Sequence, residues 1–145
     1  MGPKPFHSIR LWVGGYGNRM LKITGELAEG LTVSLPYLPP EQLPAKLELV
    51  KQAALKSGRD PASILVNYNF GGVILESESQ REKTQSTPNV IVGSIDEWVE
   101  MILRLSTLGV NSFSFWPAGE DKIGQVKLYV KNVVPSAKDA LRKSA

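Results

Sequence analysis

The sequence has no cysteine in its 145 residues. That excludes a disulfide framework and thiolate metal centres, and it fits a cytoplasmic setting. Histidine is nearly absent too. His7, the single one, lies in the N-terminal lead-in, and a lone imidazole there is a poor acid–base or metal candidate. No metal-ligand spacing, nucleophile elbow or carboxylate pair stands out, so no catalytic residue and no metal ligand is assigned. No apolar run approaches the roughly 20 residues that span a bilayer, and no signal-peptide apolar region follows Met1-Gly2-Pro3-Lys4-Pro5. An excess of one charge is also lacking. Seventeen Lys and Arg against fourteen Asp and Glu leave a net charge of +3. The basic residues are scattered among acids, as in Lys46-Leu47-Glu48 and Arg81-Glu82-Lys83. This is the pattern of a solvated surface, so neither nucleic acid nor membrane is an expected partner.

What is present is a chain of one domain's size, with 42% hydrophobic residues to build its core. Residues 9–13 read as a buried strand, and a glycine turn leads into a helix over 18–29 with Met20, Ile23 and Leu27 as its apolar stripe. Gly30 stops that helix, and 31–35 is a second strand. A proline-rich turn then opens a helix with Leu43, Leu47, Val50 and Ala54 on one face and Pro44 in its first turn. Gly58-Arg59-Asp60-Pro61 closes it. The third strand covers 64–70 and is open to extension to Leu75. Segment 76–88 has no apolar residue and is expected to be a mobile loop. Ser94-Ile95-Asp96-Glu97 is a capping box for a helix striped by Trp98, Ile102 and Leu105. A strand at 112–116 and a last helix striped by Ile123, Val126, Val130 and Val133 complete the chain. Four strand-then-helix units predict an α/β fold with a parallel sheet and right-handed crossovers, either a small open sheet or half of an eightfold barrel.

The stretch Trp12-Val13-Gly14-Gly15-Tyr16-Gly17-Asn18-Arg19-Met20-Leu21 carries the strongest chemical signal. A strand running through glycines into a helix aims backbone N–H groups and a positive helix end at one point, the usual way to hold a phosphate. A tight turn needing positive φ explains the same glycines. Asn67 and Asn69 alternate onto one strand face, where they either line a polar pocket or satisfy backbone groups near the strand end. Tyr37 and Trp116 sit at strand ends, placed either to contact a ring or apolar substrate or to pack the rim.

Arg10 to Leu21, followed by Gly25-Glu26-Leu27-Ala28-Glu29-Gly30, resembles the luciferase-like flavin oxidoreductases. These include bacterial luciferase, flavin monooxygenases, and reductases or dehydrogenases using the 5-deazaflavin analogue of FMN. Gly93 to Trp98 and Phe113 to Pro117 resemble the last helix–strand unit of that family. The resemblance spans 1–145 as a single half-barrel domain, equivalent to the C-terminal half of a (β/α)8 barrel. It implies FMN or deazaflavin as cofactor, with Gly14, Gly15, Tyr16, Gly17 and Asn18 holding its phosphate and Arg19 neutralising it. It also makes 76–88 a candidate active-site lid, against the plainer reading of a solvated linker. The expected function is a flavin- or deazaflavin-dependent oxidoreductase or monooxygenase that retains the phosphate half of the site. The alternative is a non-catalytic shortened paralogue serving as a structural or regulatory partner. A half-barrel leaves sheet edges open, so a homodimer or a complex with a missing N-terminal half is expected.

Overall fold

Alternation along the strands sets the architecture. In the computed structural model, which describes residues 6–7, 9–84 and 88–143, β1 (Trp12–Gly14), β2 (Gly30–Ser34), β3 (Leu65–Leu75) and β5 (Ser112–Pro117) lie side by side in that order, all parallel. A further short strand, β4 (Val90–Ser94), pairs with the second half of β3. Gly71 and Gly72 face Val90 and Ile91 of β4 as well as Trp116 and Pro117 of β5, so β4 and β5 flank β3 on opposite sides. β4 therefore takes up the edge that β2 leaves after pairing Ser34 with Asn69. The four-unit, half-barrel-like α/β reading holds, and β4 is an addition to it.

The helices are α1 (Asn18–Leu27), α2 (Leu43–Lys56), α3 (Glu78–Lys83), α4 (Ile95–Thr107), α5 (Lys122–Leu128) and α6 (Val134–Lys143), with a π-turn at Tyr129–Val133 joining the last two. The core lies between the sheet and this helical layer. Val66, Tyr68, Phe70 and Ile74 of β3 pack with Leu31 and Val33 of β2, Val50 and Ala54 of α2, and Trp98, Ile102 and Leu105 of α4. Each large side chain buried there contributes about 1.5–3 kcal/mol. The expected α2 and α4 stripes are therefore the observed ones, with Leu47 half-buried at the margin of the core. Gly72 leaves room for the Trp98 indole, since a Cβ there would sit 2.6 Å from the ring. The indole Nε1–H in turn donates to the Val73 carbonyl at 3.3 Å.

Helices α1 and α2 cross with their backbones nearly touching. A Cβ on Gly25 would fall 2.6 Å from Ala53 Cβ. Arg59, just beyond α2, donates to the Gly25 and Ala28 carbonyls at 2.7 and 2.6 Å. A cation thus caps the C-terminus of α1, where the last carbonyls lack helical donors.

Three expectations need correction. The first strand has three residues, and Ile9, Leu11 and Trp12 are exposed, because among the described residues β1 pairs with β2 alone. The residues of α1 that bury are Leu21, Thr24 and Gly25, while Met20 and Leu27 of the expected stripe are 38% and 70% exposed. Ile123, Val126 and Val130 are likewise 71%, 43% and 57% exposed, and only Val133 of that stripe is buried. Both stripes are amphipathic as read, but they border the outer edges of the sheet, and among the described residues nothing covers them.

Segment 76–88 carries α3. Gln80 Oε1 accepts from the Glu76 and Ser77 N–H groups at 2.7 and 3.3 Å, which starts the helix. Arg81 ties it to α4 through Glu97 at 2.6 Å. Residues 85–87 of that segment lie outside the described residues.

Candidate functional site

Four features meet at the C-terminal rim of the strands. The first is the glycine loop. Gly15 has φ +155°, and a Cβ there would press on Met20 Cβ at 3.2 Å. Its N–H donates to the Thr32 carbonyl at 3.3 Å, tying the loop to β2. Gly17 is the N-cap of α1 with φ −72° and no side-chain cap, and no acidic residue stands in the first turn. The first helical hydrogen bond runs from Leu21 N–H to Gly17 O at 3.0 Å. The N–H groups of Asn18, Arg19 and Met20 are thereby left without helical acceptors at a positive dipole end. A Cβ on Gly17 would meet nothing within 4 Å. Neither φ nor packing requires glycine at this position, and its small size keeps the approach to those N–H groups open.

The second feature is Lys46, which the sequence did not single out. Its Nζ donates to Asn18 Oδ1 at 3.0 Å, which places an ammonium beside the first residue of α1. The close α1–α2 crossing at Gly25 brings the two helices near enough for this contact. Arg19 is exposed on the first turn.

The third feature is a polar layer on the face of the sheet opposite the core. Asn67, 8% exposed, donates from Nδ2 to Thr32 Oγ1 at 3.1 Å and to Asn69 Oδ1 at 2.8 Å. Its Oδ1 accepts from the Ser112 and Ser114 hydroxyls at 3.0 and 3.2 Å. Asn69 Nδ2 donates to Thr32 Oγ1 and Ser34 Oγ at 3.2 and 3.0 Å. The two asparagines thus satisfy side chains from β2 and β5, and no backbone group. With Thr32 and Ser34 acting as acceptors, their own hydroxyl hydrogens remain available to donate.

The fourth is a cavity of about 290 Å³ above that layer, bordered by Ser34, Tyr37, Asn69, Gly71, Asn89 and Trp116. Tyr37 and Trp116 are 64% and 67% exposed, so neither is core. Tyr37 stacks on Tyr16 of the glycine loop, with ring centroids 5.8 Å apart and planes within 8°. That stack joins cavity and loop into one region. Among the described residues no carboxylate or imidazole borders the cavity, and no metal-ligand cluster occurs. The tyrosines whose hydroxyls burial pushes up to about 12, Tyr68 and Tyr129, belong to the core side. Tyr68 OH donates to the Leu38 carbonyl at 2.7 Å, pinning the turn that carries Tyr37. A separate groove of about 370 Å³, among Leu47, Val50, Ile64, Val66 and Leu108, lies toward the opposite end of the strands.

Residues 2–89 match the family model described as luciferase-like monooxygenase. This chain belongs to that family. Among curated relatives, a phthiodiolone/phenolphthiodiolone dimycocerosates ketoreductase of Mycobacterium kansasii is 27% identical over 130 residues, covering 89% of this chain and 32% of the relative. Among solved structures, an F420-dependent secondary alcohol dehydrogenase in complex with an F420-acetone adduct superposes with TM-score 0.74 at 15% identity, covering 92% of this chain and 50% of that one. The coenzyme F420 dependent tetrahydromethanopterin reductase of Methanopyrus kandleri gives 0.72 at 19%, covering 88% and 51%. An EDTA monooxygenase from Chelativorans gives 0.75 at 12%, covering 94% and 46%. The chain thus spans about a third of that curated relative and about half of these solved structures.

Proposed function

We propose that this chain is the cofactor-phosphate half of a flavin- or deazaflavin-dependent oxidoreductase. The observation that carries the reading is the uncapped N-terminus of α1, with open space at Gly17 and the Lys46 ammonium beside it. Oriented N–H groups, a helix dipole and a mobile cation are what a phosphate monoester or diester needs. In this reading the N–H groups of Gly17, Asn18, Arg19 and Met20 bind the phosphate, and Lys46 leaves Asn18 to pair with it. Gly14, Gly15 and Tyr16 shape the loop, and Arg19 adds charge at its margin.

The cofactor, FMN or a deazaflavin, supplies hydride chemistry when bound. The similarity to a ketoreductase makes a ketone–alcohol couple one reaction such a site would serve, beside the oxygenation that the description of the family names. Tyr37 and Trp116 then exclude water from the cavity, and Ser34 O–H offers a donor to a ring or substrate carbonyl. The site is completed by a second half-barrel, either another copy of this chain or a separate N-terminal half, working in the cytoplasm.

Titration of FMN and of F420, followed by cofactor fluorescence, tests this. Lys46→Ala is expected to weaken binding about tenfold, the loss of one charge-assisted bond. Gly17→Val is expected to abolish binding without lowering thermal stability. Equal affinity in all three proteins points instead to a non-catalytic paralogue with a structural turn.

A further inference from the structure

We propose that Tyr68, on the core side of the sheet, is a positioning residue for the ring side of the cofactor site. Its hydroxyl holds the turn whose Tyr37 borders the cavity and stacks on the glycine loop. This assignment rests on the cofactor reading above, and it adds a residue that acts on the ring side while leaving the phosphate side alone.

The sequence of the turn shows why an outside donor is needed. Pro36, Pro39 and Pro40 surround Tyr37 and Leu38, so three of five consecutive residues have no backbone N–H. The Tyr37 and Leu38 N–H groups both donate to the Ser34 carbonyl at 3.0 Å. What ties the far side of the turn is the Leu38 carbonyl, which accepts from the Tyr68 hydroxyl at 2.7 Å. Tyr68 lies level with Val33 of β2, and its ring spans from there to the turn beyond the strand. A phenylalanine would pack the same ring and lack the one atom that makes the contact. Tyr68 is 1% exposed. Burial first, and the Glu41 charge second, push its pKa up to about 12, so the hydroxyl keeps its proton and stays a donor throughout the neutral range.

The two faces of β3 hold different parts of this turn. On the polar face, Asn69 Nδ2 donates to Ser34 Oγ at 3.0 Å, and the Asn69 carbonyl takes the Leu35 N–H at 3.0 Å. Ser34 therefore stays in place without Tyr68. Tyr37 does not, because its side chain is 64% exposed and is located by the turn backbone and by its stack on Tyr16. Releasing the Leu38 carbonyl lets Tyr37 leave Tyr16, which uncovers the cavity. The head of α1 is fixed by other bonds: Gly15 N–H to the Thr32 carbonyl, Leu21 N–H to the Gly17 carbonyl, and Lys46 to Asn18. All of these contacts are made within the chain.

Tyr68→Phe is the direct test, with Tyr129→Phe as a control that removes another hydroxyl from the same core. FMN affinity, followed by cofactor fluorescence, is expected to fall about fivefold in Tyr68→Phe, the loss of one neutral hydrogen bond. Affinity for inorganic phosphate, followed by the amide shifts of Asn18 and Arg19, should not change. Tyr37→Leu, which leaves the core untouched, should show the same split. The double variant Tyr37→Leu/Tyr68→Phe should bind FMN no more weakly than Tyr37→Leu, since both act through one stack. Without any cofactor, the Tyr16 ring and amide signals should move in Tyr68→Phe and stay in place in Tyr129→Phe. Unmoved Tyr16 signals in Tyr68→Phe overturn the proposal. So do equal losses of FMN and phosphate binding, or independent losses from Tyr37→Leu and Tyr68→Phe. Failure of the cofactor reading looks different: a wild type that binds neither FMN nor F420, in which the Tyr16 signals still decide whether Tyr68 holds the stack.

Discussion

The Gln125 side-chain amide occupies the position of a missing strand beside Ile74. Its Oε1 accepts the Ile74 N–H at 2.6 Å, and its Nε2 donates to the Ile74 carbonyl at 3.1 Å. β5 stops pairing at Gly72, so without this amide both backbone groups of Ile74 on that side lose their partner. Gln125→Leu is expected to cost about 2–4 kcal/mol, since each buried group left unpaired costs about 1–3 kcal/mol. Urea denaturation of the two proteins checks it, and a change within a few tenths of a kcal/mol would show that water replaces the amide freely.

The α1–α2 crossing makes a second prediction. Gly25→Ala places a Cβ 2.6 Å from Ala53 Cβ and 2.9 Å from the Ala54 nitrogen. The helices must separate, with a stability loss of about 1–3 kcal/mol. Separation also carries Lys46 away from Asn18, so FMN affinity should fall in this variant although the substitution is remote from the loop. Thermal unfolding and titration on the same sample test both parts.

Acid sensitivity should appear at the head of α4. Glu97 accepts from Arg81 at 2.6 Å and from the Ser94 N–H at 2.7 Å. The Arg81 bond first, and the Ser94 bond second, hold its carboxyl below the usual value of 4.5. A carboxylate whose pKa is lowered on folding stabilises the fold fully above its unfolded pKa and loses that contribution as pH falls through the folded value. The stability of the wild type should therefore fall below pH 4.5 by more than that of Glu97→Gln. The group is largely exposed, so the difference should be small and reduced by salt. Urea midpoints for both proteins across this range decide it. Parallel curves would mean that the Arg81–Glu97 pair contributes nothing.

Much of the fold was legible because its signals are local. The α2 and α4 stripes bury within this chain, and Ser94-x-x-Glu97 and Gly58 fix ends by short-range chemistry. The α1 and α5 stripes were equally legible as stripes, but nothing among the described residues covers Met20, Leu27, Ile123, Val126 or Val130. β4 was missed because Val90-Ile91-Val92 is a short run flowing straight into a helix cap. Within the candidate site, the glycine loop was readable. Lys46 was not, since its position follows from the closeness of two helices. The polar layer did leave a trace, in Thr32-x-Ser34, Asn67-x-Asn69 and Ser112-x-Ser114 on three separate strands, but only the register aligns them.

The central claim is that the N-terminus of α1 receives a cofactor phosphate. Backbone amide chemical shifts of the isotopically labelled protein, followed through a titration with FMN and with F420, test it most directly. The account predicts that the largest changes fall on Gly17, Asn18, Arg19 and Met20, with smaller ones at Tyr37 and Gly71 beside the cavity, and that inorganic phosphate reproduces the first group alone. Changes centred on the Leu47–Leu108 groove, or none at the glycine loop at saturating cofactor, would contradict it.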